Sequence, residues 1–270
     1  MRTWSYNVEL MHPVIALLTD FGHQDPYVGQ MKGALLRMAP HARIVDLCHE
    51  VQPHNITQAS FLLQASHKHF PHECIFVNVV DPGVGSTRSI LLARLEKKSY
   101  LAPDNGLLSF LLDEPASWWR IAANSSDVSR TFHGRDIFAG IAARLALGAM
   151  PESFGFPLSP DKVVRTAMSQ GTIQADALDC VVLHVDRFGN CLLNLPIGKV
   201  PIRRRTWTLD DGRKVVEAST YAELAPSQIG LLEGSQGVME LAVNQDSCAR
   251  LLEIVPGQPL HLTRTDTRRP

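Results

Sequence analysis

Apolar runs of strand length alternate with segments of helical spacing through the first half of the chain. The strand-like runs are VIALLTD, ARIVDL, CIFVNVVD, SILLARL and SYLAP. Apolar residues recur three or four positions apart in VGQMKGALLRMAP, NITQASFLLQASHKHF, NGLLSFLL and RDIFAGIAARLALG, which is the spacing of helices. Asn55 or Thr57 can cap the second of these helices. Apolar strands that alternate with helices predict an α/β domain whose sheet is mostly parallel and covered on both faces.

The pattern changes after residues 150–162, a segment rich in Pro, Gly and Ser that we interpret as a linker. Downstream, CVVLHVDRFGNCLLNL has strand-like runs around a Phe-Gly-Asn turn, and GVMELAVN is another strand. RTWTLDDGRKVVEAST has Asp-Gly at its centre, which is typical of a hairpin. We therefore predict an N-terminal α/β domain over residues 1–160 and a C-terminal antiparallel β-barrel domain over residues 161–270.

Composition and charge indicate which partners the protein lacks and in which cellular compartment it resides. The 270 residues carry 26 Lys and Arg against 27 Asp and Glu, so no basic surface for nucleic acid is expected. No apolar run has the length of a membrane span, and the N-terminus lacks the apolar core of a secretion signal. The five cysteines are scattered without a C-x-x-C pair, which indicates a reducing compartment. These features predict a cytoplasmic protein without a nucleic-acid or membrane partner.

Two aspartates follow apolar strands, Asp20 after VIALLT and Asp81 after IFVNVV. Ligands of open α/β sheets bind at the carboxyl ends of the strands. The alternative is that each aspartate only opens a turn, because Asp accepts hydrogen bonds from nearby backbone amides. Two such strand ends, each followed by a glycine, favour a ligand site.

Two further side chains can join this site. Arg88 follows Asp81 across a Pro-Gly-Val-Gly turn and can fold back to pair with its carboxylate; the alternative is an exposed ion pair of little energetic value. His133 precedes a predicted helix, where a neutral imidazole is favoured; the alternative is a helix cap. The histidines of SHKHFPH lie at a helix end beside a proline, which disfavours a metal site there.

Five motifs in order resemble one family. They are LLTDFGHQDPYVGQMKG, VNVVDPGVGSTRS, LAPDNGLLS, FHGRDIFA and VDRFGNCLLN. Together they resemble the S-adenosyl-L-methionine (SAM) hydroxide adenosyltransferases, which are adenosine-forming SAM hydrolases homologous to fluorinating and chlorinating enzymes. The resemblance extends over residues 14–256. It implies an α/β domain followed by a β-barrel, SAM as the substrate, no metal or redox cofactor, and a homotrimer whose active sites join the N-terminal domain of one subunit to the C-terminal domain of a neighbour.

The resemblance also implies roles for individual residues. Asp81, Arg88 and His133 match the trio that surrounds the attacking water. The other matched positions bind the substrate: Asp20 the ribose hydroxyls, Phe132 the ribose ring, Asn190 and the backbone of residues 241–245 the adenine, and Asp25, Asp186 and Ser235 the methionine ends. The implied reaction is in-line attack of water at C5′ of SAM, which gives adenosine and L-methionine.

Two other functions remain as alternatives. A SAM-dependent halogenase is disfavoured because Gly134 occupies the place of the fluorinase serine beside the halide, Asp81 that of its tyrosine, and residues 89–101 lack the longer halogenase loop. A non-catalytic SAM- or adenosine-binding module would retain Asp20 and Asn190 without turnover. The chain departs from the halogenases at Gln236, where they carry arginine, and from fluorinase at His54, where that enzyme has tryptophan.

Overall fold

The computed structural model of the chain describes residues 13–122, 129, 131–166, 170–200 and 205–265. The chain divides into two compact units, Met1–Thr166 and Ala167–Pro270. The order and kind of the units follow the prediction, an α/β unit and then a β-barrel unit. No helix in the described ranges is long and apolar enough to cross a membrane.

The described part of the first unit contains a seven-stranded sheet in the order β2-β1-β3-β5-β4-β6-β7. Its strands are β1 (Val14–Thr19), β2 (Arg43–Cys48), β3 (Ile75–Val79), β4 (Ile90–Leu95), β5 (Lys98–Pro103), β6 (Ser117–Ile121) and β7 (Gly155–Pro157). β1 pairs in parallel with β2 and β3, and β3 with β5, whereas the pairings of β4 with β5 and β6 and of β6 with β7 are antiparallel. Five of these strands therefore run in one direction, which confirms a mostly parallel sheet.

Helices cover both faces of this sheet. They are α1 (Tyr27–Met38), α2 (Ile56–Ser66) and α3 (Ala139–Ala146), the last preceded by a π-helical turn at Gly134–Phe138. Short 3₁₀ turns lie at His67–His69, Ser109–Leu111, Pro151–Ser153 and Pro160–Lys162. Asn55 caps α2, since its side chain accepts a hydrogen bond from Gln58 N at 2.9 Å.

Successive residues of β1 point to opposite faces of the sheet, and each face has its own apolar core. Leu17 packs with Met31 of α1 and Phe138 on one face. Leu18 packs with Leu63 of α2 and Tyr100 of β5 on the other. This arrangement explains why β1 is apolar at every position from Val14 to Leu18 rather than at alternate ones.

Two segments differ from the secondary structure that the sequence predicts. The predicted helix NGLLSFLL contains only the 3₁₀ turn Ser109–Leu111. Three of its leucines are buried and the fourth is partly buried, so their spacing reflects packing of a short connection. The predicted linker, residues 150–162, contains β7, in which Pro157 pairs with Trp119 of β6. This segment is therefore part of the first unit's sheet and more than a connection.

The second unit is a barrel with one short helix, α4 (Cys248–Leu252). Its strands are β8 (Thr172–Ile173), β9 (Ala177–Val185), β10 (Cys191–Pro196), β11 (Thr206–Leu209), β12 (Lys214–Glu217), β13 (Ile229–Glu233), β14 (Val238–Val243) and β15 (Pro259–Arg264), with a 3₁₀ turn at Tyr221–Glu223. They follow the order β10-β14-β13-β12-β11-β15-β9-β8, and pairing of β9 with β10 closes seven of them into a barrel.

Among the described strands of this barrel, only β12 and β13 pair in parallel, so the predicted antiparallel barrel is confirmed. The predicted Asp-Gly hairpin joins β11 to β12. Trp207 and Leu241 are among the buried residues that fill the apolar core of this unit.

Candidate active site

The turn between β3 and β4 brings Asp81 and Arg88 together. Gly85 has a φ of 80°, a left-handed conformation that glycine adopts without strain. Arg88 Nε donates to Asp81 Oδ1 at 2.6 Å, and Arg88 Nη2 donates to Asp81 Oδ2. The side chains are only 10% and 4% exposed for Arg88 and Asp81, respectively. The pair is therefore a buried two-pronged ion pair, which rules out the alternative of an exposed hairpin pair.

His133 lies beside this ion pair. Its Nδ1 is 3.3 Å from Arg88 Nη2, and it makes no capping hydrogen bond to the turn that follows it. Burial and then the positive charge of Arg88 lower the pKa of His133, against the opposing pull of Asp81 and Asp136. A guanidinium can only donate hydrogen bonds, so Nδ1 of the neutral imidazole accepts and Nε2 carries the proton.

A neighbouring asparagine that the sequence analysis did not single out supports the Asp81 backbone. Asn105, in the turn after β5, donates from Nδ2 to the carbonyl of Val80 at 2.9 Å. Asp104 N also donates to the carbonyl of Ser89 at 2.9 Å. These bonds join the end of β3 and the start of β4 to the end of β5, so residues on both sides of the Asp81–Arg88 turn are fixed.

Asp20 directly follows β1, at the same edge of the sheet as the end of β3. Its Oδ2 accepts a hydrogen bond from His54 N at 2.9 Å. Gly22 N donates to the carbonyl of His49 at 2.8 Å. His54 therefore contributes a backbone donor to the Asp20 carboxylate, a contact that does not depend on the identity of its side chain. Asp25 lies exposed in the connection from this turn to α1.

Aromatic rings connect the Asp20 turn to the His133 segment. The ring centroids of Phe21 and Phe132 are 5.7 Å apart, and those of Tyr27 and Phe132 are 5.3 Å apart, both edge-to-face. Gly134 packs against Phe21 and Phe132, because a Cβ placed on it would lie 3.3 Å from Phe132 and 3.4 Å from Phe21. Asp20, Phe132 and the Asp81–Arg88–His133 group therefore belong to one continuous region of the first unit.

In the second unit, Asp186 and Asn190 form a compact turn between β9 and β10. Asp186 Oδ1 accepts from the backbone N–H groups of Phe188 and Asn190, each at 2.9 Å, and Asp186 Oδ2 accepts from Asn190 Nδ2 at 3.0 Å. Ser235 lies exposed in the turn before β14. The pairing of β10 with β14 places Asn190 at one end of these strands and Ser235 at the other.

Among the described residues, no cluster of three or more His, Cys, Asp or Glu side chains is arranged to hold a metal ion. His67, one of the three histidines of SHKHFPH, is instead buried, with Nδ1 2.9 Å from the hydroxyl of Tyr100. Burial, followed by the charge of Lys98, lowers the pKa of His67 to about 4. It is therefore a neutral packing residue.

Known proteins resemble both units of the chain. Sequence models of the SAM hydroxide adenosyltransferase N-terminal and C-terminal domains match residues 15–155 and 180–261. A curated (R)-S-adenosyl-L-methionine hydrolase from Thermus thermophilus is 34% identical, over 93% of this chain and 100% of that protein. A fluorinase from Nocardia brasiliensis is 30% identical, over 68% of this chain and 71% of its own length. The crystal structure of an uncharacterized conserved protein from Thermotoga maritima matches with a TM-score of 0.85 and 30% identity, over 93% of this chain and 100% of that one.

Proposed function

The chain belongs to the SAM hydroxide adenosyltransferase family, and we propose that it hydrolyses S-adenosyl-L-methionine to adenosine and L-methionine. The relatives that match over most of the chain are named for the (R) form of this substrate. We extend that preference for the (R) configuration at sulfur to this chain.

The observation that carries the proposal is the group of Asp81, Arg88 and His133, in which a buried ion pair adjoins a partly buried imidazole. Arg88 neutralises Asp81 from one side, and an ionised carboxylate still has lone pairs for a further donor. A water bound here donates one hydrogen to Asp81 and accepts one from Nε2–H of His133. Its remaining lone pair is then free to attack a carbon.

The chemistry needs a positioned nucleophile rather than an acid. The water oxygen forms a bond to C5′ as the C5′–S bond breaks, and the bonding pair remains on sulfur, which becomes the neutral thioether of methionine. Asp81 takes the proton released from the water. Positioning contributes up to about 7–11 kcal/mol at its ideal limit, and a base contributes roughly 10²–10⁴ in rate.

Water is favoured over halide by the packing of Gly134. A side chain here would meet Phe21 and Phe132 at 3.3–3.4 Å, so a serine like that of fluorinase fits only if the rings move. The coverage of the relatives agrees, since the hydrolase matches 93% of this chain and the fluorinase 68%. The buried Asp81 carboxylate is also a poor neighbour for an anion.

We assign the remaining roles by the family resemblance. Asp20 and Phe132 bind the ribose, Asp25, Asp186 and Ser235 bind the methionine ends, and Asn190 contacts adenine. Asp20 and Asp81 belong to one unit and Asp186 and Asn190 to the other. On the family resemblance, we propose a homotrimer whose sites join neighbouring subunits. The proposed reaction uses no metal or redox cofactor. The described cysteines are all free, in keeping with a cytoplasmic location.

The test is hydrolysis in ¹⁸O-labelled water, with the two sulfur epimers of SAM assayed separately. We expect adenosine and methionine in equal amounts, the label at O5′ of adenosine, and faster turnover of the (R) epimer. Label elsewhere contradicts attack at C5′. A 5′-halogenated nucleoside formed in the presence of chloride or fluoride identifies a halogenase. Tight SAM binding without product identifies a binding module.

A further inference from the structure

Four side chains form a hydrogen-bonded chain behind the Asp20 turn. Lys32 Nζ of α1 donates to Asp46 Oδ2 of β2 at 2.6 Å, and Asp46 Oδ1 lies 3.1 Å from Nε2 of His49. Nδ1 of His49 lies 2.8 Å from Oγ1 of Thr19, the last residue of β1. The side chain of His49 is fully buried, so its bond to Thr19 is shielded from water, whereas the Lys32–Asp46 pair is accessible to solvent.

The protonation states of Asp46 and His49 determine which group donates and which accepts in each of these hydrogen bonds. Burial opposes ionisation of Asp46, but the hydrogen bonds from Lys32 and His49 outweigh it and lower its pKa. Burial likewise lowers the pKa of His49 against the pull of Asp46, so the imidazole is neutral. An ionised carboxylate only accepts, so Nε2 carries the proton and Nδ1 accepts from the Thr19 hydroxyl.

The last hydrogen bond of this series is made to the backbone beside Asp20. Thr19 Oγ1 accepts a hydrogen bond from Phe21 N at 3.2 Å, which bridges Asp20 from both sides. The carbonyl of His49 accepts from Gly22 N at 2.8 Å. His49 therefore holds the turn twice, through its ring by way of Thr19 and through its own backbone.

Building on the proposed function, we propose that His49 is a positioning residue for ribose recognition, which orients the Asp20 carboxylate through the hydroxyl of Thr19. Lys32 and Asp46 fix the imidazole ring in turn. A correctly placed carboxylate accepts from both ribose hydroxyls. The N–H of His54 holds Oδ2 of Asp20, and the His49–Thr19 contact holds the backbone of the turn; a carboxylate displaced with a loosened turn loses most of its ability to recognise the 2′-hydroxyl.

The test measures ribose discrimination, because a purely structural role would not change it. The readout is the ratio of kcat/KM for SAM to that for its 2′-deoxy analogue. We expect about tenfold or more in the wild-type protein, the effect of one buried acceptor left unpaired. His49→Ala and Thr19→Val should reduce this ratio to within about threefold of one and lower kcat/KM for SAM.

Two variants serve as controls. Thr19→Ser retains the hydroxyl and should retain the wild-type ratio. His67→Ala removes another buried histidine that contacts a hydroxyl, that of Tyr100, and should lower the melting temperature without changing the ratio. Thr19→Val keeps the test decisive if His49→Ala does not fold, since valine has nearly the shape of threonine.

A wild-type ratio in Thr19→Val or in folded His49→Ala overturns the positioning role, as does a wild-type protein that treats both substrates alike. The ratio of dissociation constants for 2′-deoxyadenosine and adenosine measures the same discrimination without turnover. Absence of SAM hydrolysis by the wild-type protein would therefore refute the proposed function while the binding ratio still decides the role of His49.

Discussion

Removing either member of the Asp81–Arg88 pair should abolish most activity and also reduce stability. The perturbation is the set Asp81→Asn, Arg88→Met and the double variant, chosen to preserve side-chain volume. Both side chains are at most 10% exposed. Each single variant leaves one charge buried without its partner, which costs about 3–5 kcal/mol.

The double variant should be less damaging to stability than the sum of the singles. With both charges removed, no buried ion remains unpaired, so we expect a coupling of at least about 2 kcal/mol in urea unfolding. For turnover, each single variant should lose roughly 10²-fold or more in kcat. The double variant should lose no more than the worse single variant, because the groups act on the same water.

The assay combines urea unfolding with adenosine release, and an exposed ion pair provides the control. Arg165 and Asp113 interact at 3.1 Å with side chains 57% and 79% exposed. Asp113→Asn, Arg165→Met and their double variant should show coupling below about 1 kcal/mol and unchanged kcat. If the losses of unfolding free energy in Asp81→Asn and Arg88→Met add up in the double variant, the two side chains are not a buried ion pair. An Asp81→Asn protein within threefold of wild-type kcat would refute the mechanism.

Three further predictions concern pH and assembly. Because the pKa of His133 is lowered, kcat should stay level as pH falls to about 6.5 and decline only below it, when a cation forms beside Arg88; a decline centred at or above this pH contradicts a neutral His133. The pKa of His67 is about 4 when folded, so between about pH 6.5 and 4 only the unfolded chain binds its proton and stability falls with falling pH. His67 should contribute about 2 kcal/mol to the loss from pH 7.5 to 5, so the loss in His67→Gln should be smaller by about that amount, as urea unfolding would show. If sites join neighbouring subunits as proposed, co-expressed Asp81→Asn and Asp186→Ala subunits, purified through two different tags, should regain activity that neither has alone; inactive mixed assemblies would place each site within one subunit.

The strand ends that carry the candidate site were predictable from the sequence for a simple physical reason. A strand buried on both faces is apolar at nearly every position, so the first charged residue after it, Asp20 or Asp81, marks where the strand leaves the core. The turn glycines then indicate that Arg88 can fold back. Burial of the resulting pair was not predictable, because it depends on Asn105 and on β5, which are distant in sequence.

Other features were missed because their sequence signals are weak. The strand β6, SWWRI, is five residues long and has exposed residues at two positions, so it resembles neither a buried run nor a regular alternation. The segment NGLLSFLL has helical spacing over only two turns, too short for local propensity to prevail over packing. In both cases tertiary contacts determine a structure that local pattern does not.

The role of Thr19 and His49 depends on a local irregularity that no periodicity indicates. Leu17 pairs with Asp46, but Leu18 pairs with Cys48, so one residue of β2 is skipped. Without this shift Cys48 would stand opposite Thr19; with it His49 does. A shift of one residue exchanges the faces of a strand, and a bulge can redirect a side chain in this way beside an active site. The buried imidazole therefore meets the Thr19 hydroxyl, and through it the Asp20 turn, because of a single extra residue in β2.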